Sequence, residues 1–193
     1  MSALKPYALK PTDPDWPASL AERMGSNAPT ALHMIGPVAL LVGRRTALFC
    51  SAAAPGDAIL RAHDIARQLR DEGVTVISGF HSPIERDCLR ILLRGSQPIV
   101  ICPARSLEGM RVSPECRPAL EAGRLLFLSP FAHFPRRVTK ESALRRNEVV
   151  AALADELVVA YASPGGAMEA LLAEARAWAV PCSLLVGADR SAS

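Results

Sequence analysis

The chain has 193 residues, of which 50% are apolar and 21% are charged, and this balance excludes an intrinsically disordered or collagen-like protein. It is long enough for one globular domain. The net charge of +3 neither requires nor excludes a polyanionic partner, and an aromatic content of 5% argues against a large base-stacking surface. Five cysteines are spread along the chain without a C-x-x-C pair, which favours buried, reduced thiols and argues against a metal site.

Residues 1–36 are predicted to form a proline-rich N-terminal arm with one short helix at 17–24. The arm lacks the apolar core of a signal peptide. The longest apolar segment, residues 31–43, is interrupted by His33, Gly36 and Pro37 and is too short to span a bilayer. We therefore expect a cytoplasmic protein that does not contact membranes.

Residues 37–187 alternate short apolar runs with amphipathic stretches, and residues 188–193 are expected to form a disordered tail. Strands are predicted at 46–50, 74–79, 98–102, 124–129, 156–161 and 182–186. Helices between them are predicted at 57–71, 82–93, 143–154 and 167–178. Apolar strands separated by single helices indicate a parallel sheet buried on both faces. The predicted fold class is α/β, a Rossmann-like doubly wound, mostly parallel sheet with helices on both faces.

Three turns rich in small residues follow predicted strands, at 51–57 (first turn), 78–83 (second turn) and 162–166 (third turn). The carboxyl ends of parallel strands meet at one edge of a sheet, where glycine backbone and helix N-termini favour an anion. Neither G-x-G-x-x-G nor a Walker A motif is present, so we expect a nucleotide-like anion without dinucleotide or P-loop binding. Taken singly, each turn also suits an ordinary loop.

Residues 136–146 concentrate the positive charge, with five basic side chains and one acidic side chain. The segment follows the fourth predicted strand and so belongs to the same edge, where guanidinium groups are suited to clamping phosphates. An ordinary solvated surface is the alternative. Phe80, Phe131 and Phe134 are the aromatic residues available for base stacking. Glu85 and Asp87 are expected to be exposed acids in the first turn of a helix, with a catalytic role as the less favoured alternative.

Several segments, in chain order, resemble DprA/Smf DNA-processing proteins. They are D-P-D-W-P-A-S-L at 13–20, A-P-T-A-L at 28–32 with an apolar strand after it, V-I-S-G at 76–79, F-P-R-R at 134–137, R-R-N-E-V-V-A-A-L at 145–153, L-V-V-A at 157–160 and P-G-G at 164–166. The resemblance implies a non-enzymatic, homodimeric single-stranded DNA-binding protein without a cofactor, which protects incoming DNA during natural transformation and passes it to the RecA recombinase. It places the DNA- or nucleotide-phosphate site at Ser51, Gly79, Arg136, Arg137, Arg146, Asn147, Gly165 and Gly166. At the first turn, where that family has G-S-R, this chain has Cys50-Ser51-Ala52.

A second resemblance is to lysine-decarboxylase-like phosphoribohydrolases, which cleave nucleoside 5′-monophosphates. It rests on Arg146, nine positions before Asp155, and on the P-G-G turn at 164–166. It implies that Arg146 anchors the phosphate and that Glu169 or Glu174 stabilises an oxocarbenium-like transition state. A small-nucleotide sensor and a scaffold with an unused pocket remain as further alternatives.

Overall fold

The computed structural model describes residues 5–186, which contain eight strands and six α-helices. The strands are β1 (Tyr7–Leu9), β2 (Leu32–Ile35), β3 (Arg45–Phe49), β4 (Thr75–Ser78), β5 (Ile99–Ile101), β6 (Leu125–Ser129), β7 (Glu156–Tyr161) and β8 (Cys182–Val186). The helices are α1 (Ala18–Met24), α2 (Gly56–Asp71), α3 (Pro83–Leu93), α4 (Arg117–Glu121), α5 (Lys140–Leu153) and α6 (Ala167–Ala177).

All eight strands belong to one sheet, in the order β1-β2-β6-β5-β4-β3-β7-β8. The six strands from β3 to β8 run parallel, whereas β2 pairs antiparallel with β6 and β1 pairs antiparallel with β2 at the edge of the sheet. The chain builds outwards from β3 to β6 and then returns through α5 to place β7 on the other side of β3. The predicted mostly parallel sheet is confirmed, and the strand order reverses between β3 and β7.

Two apolar clusters cover the two faces of the sheet. Side chains of α1, α5 and α6 pack on one face, and side chains of α2, α3 and α4 pack on the other. Every residue of β3, β5 and β6 is buried, as expected of strands enclosed between two helical layers. The predicted helices on both faces are therefore confirmed, and the six predicted strands match the observed strands to within one residue at either end.

Local capping determines where the two helices nearest the candidate site begin. Ser82 accepts a hydrogen bond from the Glu85 N–H at 3.2 Å, and Pro83 occupies the first helical position of α3. At α5, Thr139 and Ser142 exchange hydrogen bonds of 3.1 and 2.9 Å, so this helix begins at Lys140, three residues before the predicted start. The sequence missed this start because Ser142 replaces the Glu or Gln typical of a capping box.

The N-terminal segment contributes more to the fold than the single helix that the sequence predicted. Strand β2 lies where the family resemblance places an apolar strand, whereas β1 and the short α4 were not predicted. The predicted domain boundary after residue 36 falls just past β2, within one sheet. The predicted tail at 188–193 lies outside the described residues. No helix between residues 5 and 186 combines the length and the apolar character needed to cross a membrane.

Candidate nucleic-acid interface

Four loops meet at the carboxyl edge of the parallel strands, because β3, β4, β6 and β7 all end there. Three of them are the first, second and third turns, and the fourth is the basic segment between β6 and α5. In a doubly wound sheet the binding crevice lies at this edge, next to the reversal of strand order. The predicted convergence of these loops on one edge is therefore present.

The first and third turns are joined by hydrogen bonds. The Ser51 N–H donates to the Tyr161 carbonyl at 3.0 Å, and the Ser163 N–H donates to Ser51 Oγ at 3.1 Å. Gly165 has φ = +67°, a conformation that favours glycine, and its N–H donates to Glu169 Oε2 at 2.7 Å. Ser51 therefore joins the first and third turns. The Glu169 carboxylate accepts a hydrogen bond from the third turn, at the N–H of Gly165.

Arg146 lies buried behind the second turn. Its Nη1 donates to the Cys102 carbonyl at 2.9 Å, its Nε donates to Asn147 Oδ1 at 2.7 Å, and the residue is 3% exposed. The guanidinium fills the space beside Gly79, where a side-chain Cβ would overlap its Nη1 and Cζ atoms. Arg146 therefore braces the ends of β4 and β5 from within, instead of presenting its charge on the surface.

The Glu85 carboxylate lies where the first and second turns meet. Its Oε1 accepts from the Cys50 N–H at 3.1 Å, and its Oε2 accepts from the His81 and Ser82 N–H groups at 2.9 and 3.3 Å. The prediction of an exposed acid is wrong here, because this convergence of donors keeps Glu85 buried, at 6% exposure. Burial and then the negative charge of Glu85 raise the pKa of the Cys50 thiol to about 11.

An open groove of about 740 Å³ runs along the loop between β6 and α5 and over the first turn of α5. We call it the basic groove; its aromatic and charged lining residues are Phe131, Phe134, Arg136, Arg137, Glu141 and Arg145. The Phe134 ring is 73% exposed, and the Arg136 guanidinium lies 5.7 Å from its centre, within range of a cation–π interaction. Glu141 also lines the groove, but within residues 5–186 none of the ion pairs involves Arg136 or Arg137.

The loop that carries these side chains is fixed by residues that follow β5. The Ser106 N–H donates to the Pro135 carbonyl at 2.8 Å, and the Ser106 hydroxyl donates to the Ala132 carbonyl. Arg105 Nη1 donates to the Arg136 carbonyl at 3.3 Å. Since Ser106 is 1% exposed, the loop is anchored to the interior at two points on either side of Phe134.

The family comparison identifies the relatives of this fold. A sequence model described as DNA recombination-mediator protein A matches residues 8–183. The chain belongs to this family. No curated protein matches the chain in sequence. The resemblance noted from the sequence motifs is thus confirmed at the level of the family.

Solved structures of the family share the fold. The X-ray structure of DNA processing protein A from Streptococcus pneumoniae has a TM-score of 0.79 at 18% identity, over 96% of this chain and 65% of that one. A structure describing the single-stranded DNA binding mode of DNA processing protein A from Helicobacter pylori has a TM-score of 0.77 at 18% identity, over 97% and 83% of the respective chains. This chain therefore spans less than two thirds of the length of the S. pneumoniae protein.

The eight residues that the family resemblance assigns to a phosphate site do not all reach one open surface. Arg136 and Arg137 are exposed in the basic groove, whereas Arg146 is buried, with Gly79 against it and Asn147 as its hydrogen-bond partner. Ser51, Gly165 and Gly166 lie in the first and third turns. Of the three candidate stacking residues, Phe131 and Phe134 line the groove, whereas Phe80 is buried in the core.

Sequence reasoning missed the residues that support the groove. Arg145 was counted within the basic run but was not assigned a role. It is half-buried, pairs with Glu148 at 3.1 Å and donates to the Asn27 carbonyl, so it links α5 to the N-terminal segment. Arg105 and Ser106 carried no signal, because their roles depend on a loop about 30 residues further along the chain.

The three residues of the phosphoribohydrolase alternative are engaged in separate contacts. Arg146 is bound to Cys102 and Asn147, and the Glu169 carboxylate accepts from the Gly165 N–H. Burial and the nearby charge of Glu148 raise the pKa of Glu174, which lies on α6 beside α5. Within the part of the chain that the structure describes, no hydrogen bond or ion pair joins any two of them, and no three His, Cys, Asp or Glu residues cluster as a metal site.

Proposed function

We propose that this chain binds single-stranded DNA in the basic groove. The observation that carries the proposal is the combination, in one open groove, of an exposed aromatic ring and two exposed guanidinium groups that form no ion pair within residues 5–186. Family membership supports it, as does the single-stranded DNA binding described for the H. pylori relative.

The chemistry of the groove suits a flexible strand. Arg136 and Arg137 would each neutralise a backbone phosphate, while the free face of Phe134 would stack on a base. Arg136 also makes a cation–π contact with Phe134, which keeps the phosphate-binding guanidinium next to the stacking ring. The groove would therefore follow the backbone and accept a base of any identity. Binding without strong sequence preference is the expected result.

The test is fluorescence anisotropy of a labelled oligothymidylate, titrated at several salt concentrations. The logarithm of affinity should fall with the logarithm of salt concentration by about 0.7 for each phosphate contact, so R136A/R137A should flatten the slope by roughly 1.4. The matched control is R61A/R117A, which removes the same charge from two exposed arginines outside the groove. Equal affinities and slopes in the two double variants would refute binding at the groove.

We extend the proposal to a cytoplasmic homodimer that delivers the bound strand to a RecA recombinase during natural transformation. The support is the family match, whose description names a recombination mediator. Sedimentation velocity over a range of protein concentrations tests the dimer. Co-precipitation with purified RecA, with and without oligothymidylate, tests the partner. A monomer at every concentration would refute the first part, and no capture of RecA in either condition would refute the second.

A further inference from the structure

The hydrogen bonds of Glu85 exceed those of an ordinary helix cap. A capping box explains one of them, the bond from the Ser82 N–H to the glutamate at the third helical position. Two more donors converge on the same carboxylate: the His81 N–H from the second turn and the Cys50 N–H from the end of β3. These three donors come from two separate loops that meet only in the folded protein.

Glu85 lies at the carboxyl edge of the parallel strands, where Rossmann-like folds bind phosphates at helix N-termini. In those folds the phosphate-binding helix directly follows the first strand, whereas Glu85 lies at the N-terminus of α3, which follows the second parallel strand. In this chain β3 is the first parallel strand, and the donors at its end and at the N-terminus of α3 already have an anionic acceptor. An incoming phosphate would have to compete for these donors and face a buried negative charge.

We propose that Glu85 is a specificity-determining residue. It acts as a built-in anion that closes the phosphate position between the first and second turns to small nucleotides. If the groove binds DNA as proposed above, this closure directs phosphates to the basic groove. The closure itself depends only on the contacts of Glu85 and would hold whatever binds in the groove.

The experiment measures how inorganic phosphate changes thermal stability. E85A frees the three N–H groups, so phosphate can take the place of the lost carboxylate. At a phosphate concentration about five times its dissociation constant, the melting temperature of E85A should rise by roughly 2–4 °C. Wild type, in which phosphate can bind only in the basic groove, should shift by less than E85A when ionic strength is held constant with chloride. D87A is the matched control, because it removes an acid of α3 that pairs with Arg90 on the surface; it should behave like wild type.

A second variant covers the case in which E85A does not fold. E85S also vacates the position of the carboxylate but keeps a small polar side chain, and its phosphate shift should exceed that of wild type. The proposal is overturned if neither variant gains a phosphate response beyond that of wild type and D87A. This assay uses no DNA, so its failure is separate from a failure of oligothymidylate binding by the groove.

Discussion

Gly79→Ala tests whether the buried guanidinium of Arg146 is locked in place. The backbone at Gly79 does not lie in the left-handed region, so alanine adds no conformational strain there. Its Cβ would overlap Nη1 and Cζ of Arg146 and lie 2.6 Å from Nη2. The guanidinium would have to move, and its 2.9 Å hydrogen bond to the Cys102 carbonyl would break or lengthen.

The expected loss of stability can be estimated in two ways, from the hydrogen bond that is lost or from the methyl group that is inserted. A hydrogen bond that involves a charged group contributes about 1.5–3 kcal/mol, and inserting a methyl group into a packed interior costs about 1–3 kcal/mol. We therefore expect Gly79→Ala to lower the free energy of unfolding by about 2 kcal/mol. In an Arg146→Met background, which has no guanidinium to displace, the same change should cost less than about 0.5 kcal/mol.

The assay is urea denaturation followed by the fluorescence of Trp16 and Trp178, which both pack against the core. Gly56→Ala is the matched control, because a Cβ there meets nothing within 4 Å at the start of α2. It should be neutral or stabilising by about 0.4–1 kcal/mol. If Gly79→Ala is as stable as Gly56→Ala, or if its cost is unchanged in the Arg146→Met background, the guanidinium is not locked against the second turn.

Three further predictions concern the groove and the core. Phe134→Ala should weaken oligothymidylate binding by about 5- to 150-fold, the equivalent of one lost stacking contact, while Phe134→Trp retains it in the same anisotropy assay; equal affinities would exclude stacking. Asp155 accepts from the Arg45 N–H at 2.8 Å and lies 3.4 Å from its buried guanidinium. Asp155→Ala should therefore cost about 1–3 kcal/mol in urea denaturation, and a neutral result would show that Arg45 needs no counter-charge. Burial raises the pKa of Cys102 to about 12 from the ordinary value of 9.0, so the unfolded chain loses this proton first as pH rises. The free energy of unfolding should fall above about pH 9 by up to about 1.4 kcal/mol per pH unit for this group, and Cys102→Ala should remove that part of the slope. If the free energy of unfolding changes with pH in the same way in wild type and in Cys102→Ala, the burial argument is contradicted.

Local patterns in the sequence were enough to predict most of the fold. Continuous apolar runs located all the parallel strands, and alanines at helical spacing, such as Ala58, Ala62 and Ala66, located the buried face of α2. Strand β1 could not be found in this way. It has three residues, too few to show a period of two, and it exists as a strand because it pairs with β2.

The sequence also placed a basic cluster and three turns at one edge of the sheet, because strand order along the chain fixes which loops follow carboxyl ends. Only the tertiary structure decided which charges face outwards. Arg137 and Arg146 look alike in sequence, yet one is exposed in the groove and the other is bound to Cys102. The same holds for two acids of α3: Glu85 is a buried hydrogen-bond acceptor, whereas Asp87 forms an ion pair with Arg90 on the surface. The physical reason is that burial of a charged group depends on partners brought from distant strands, and no local spacing encodes them.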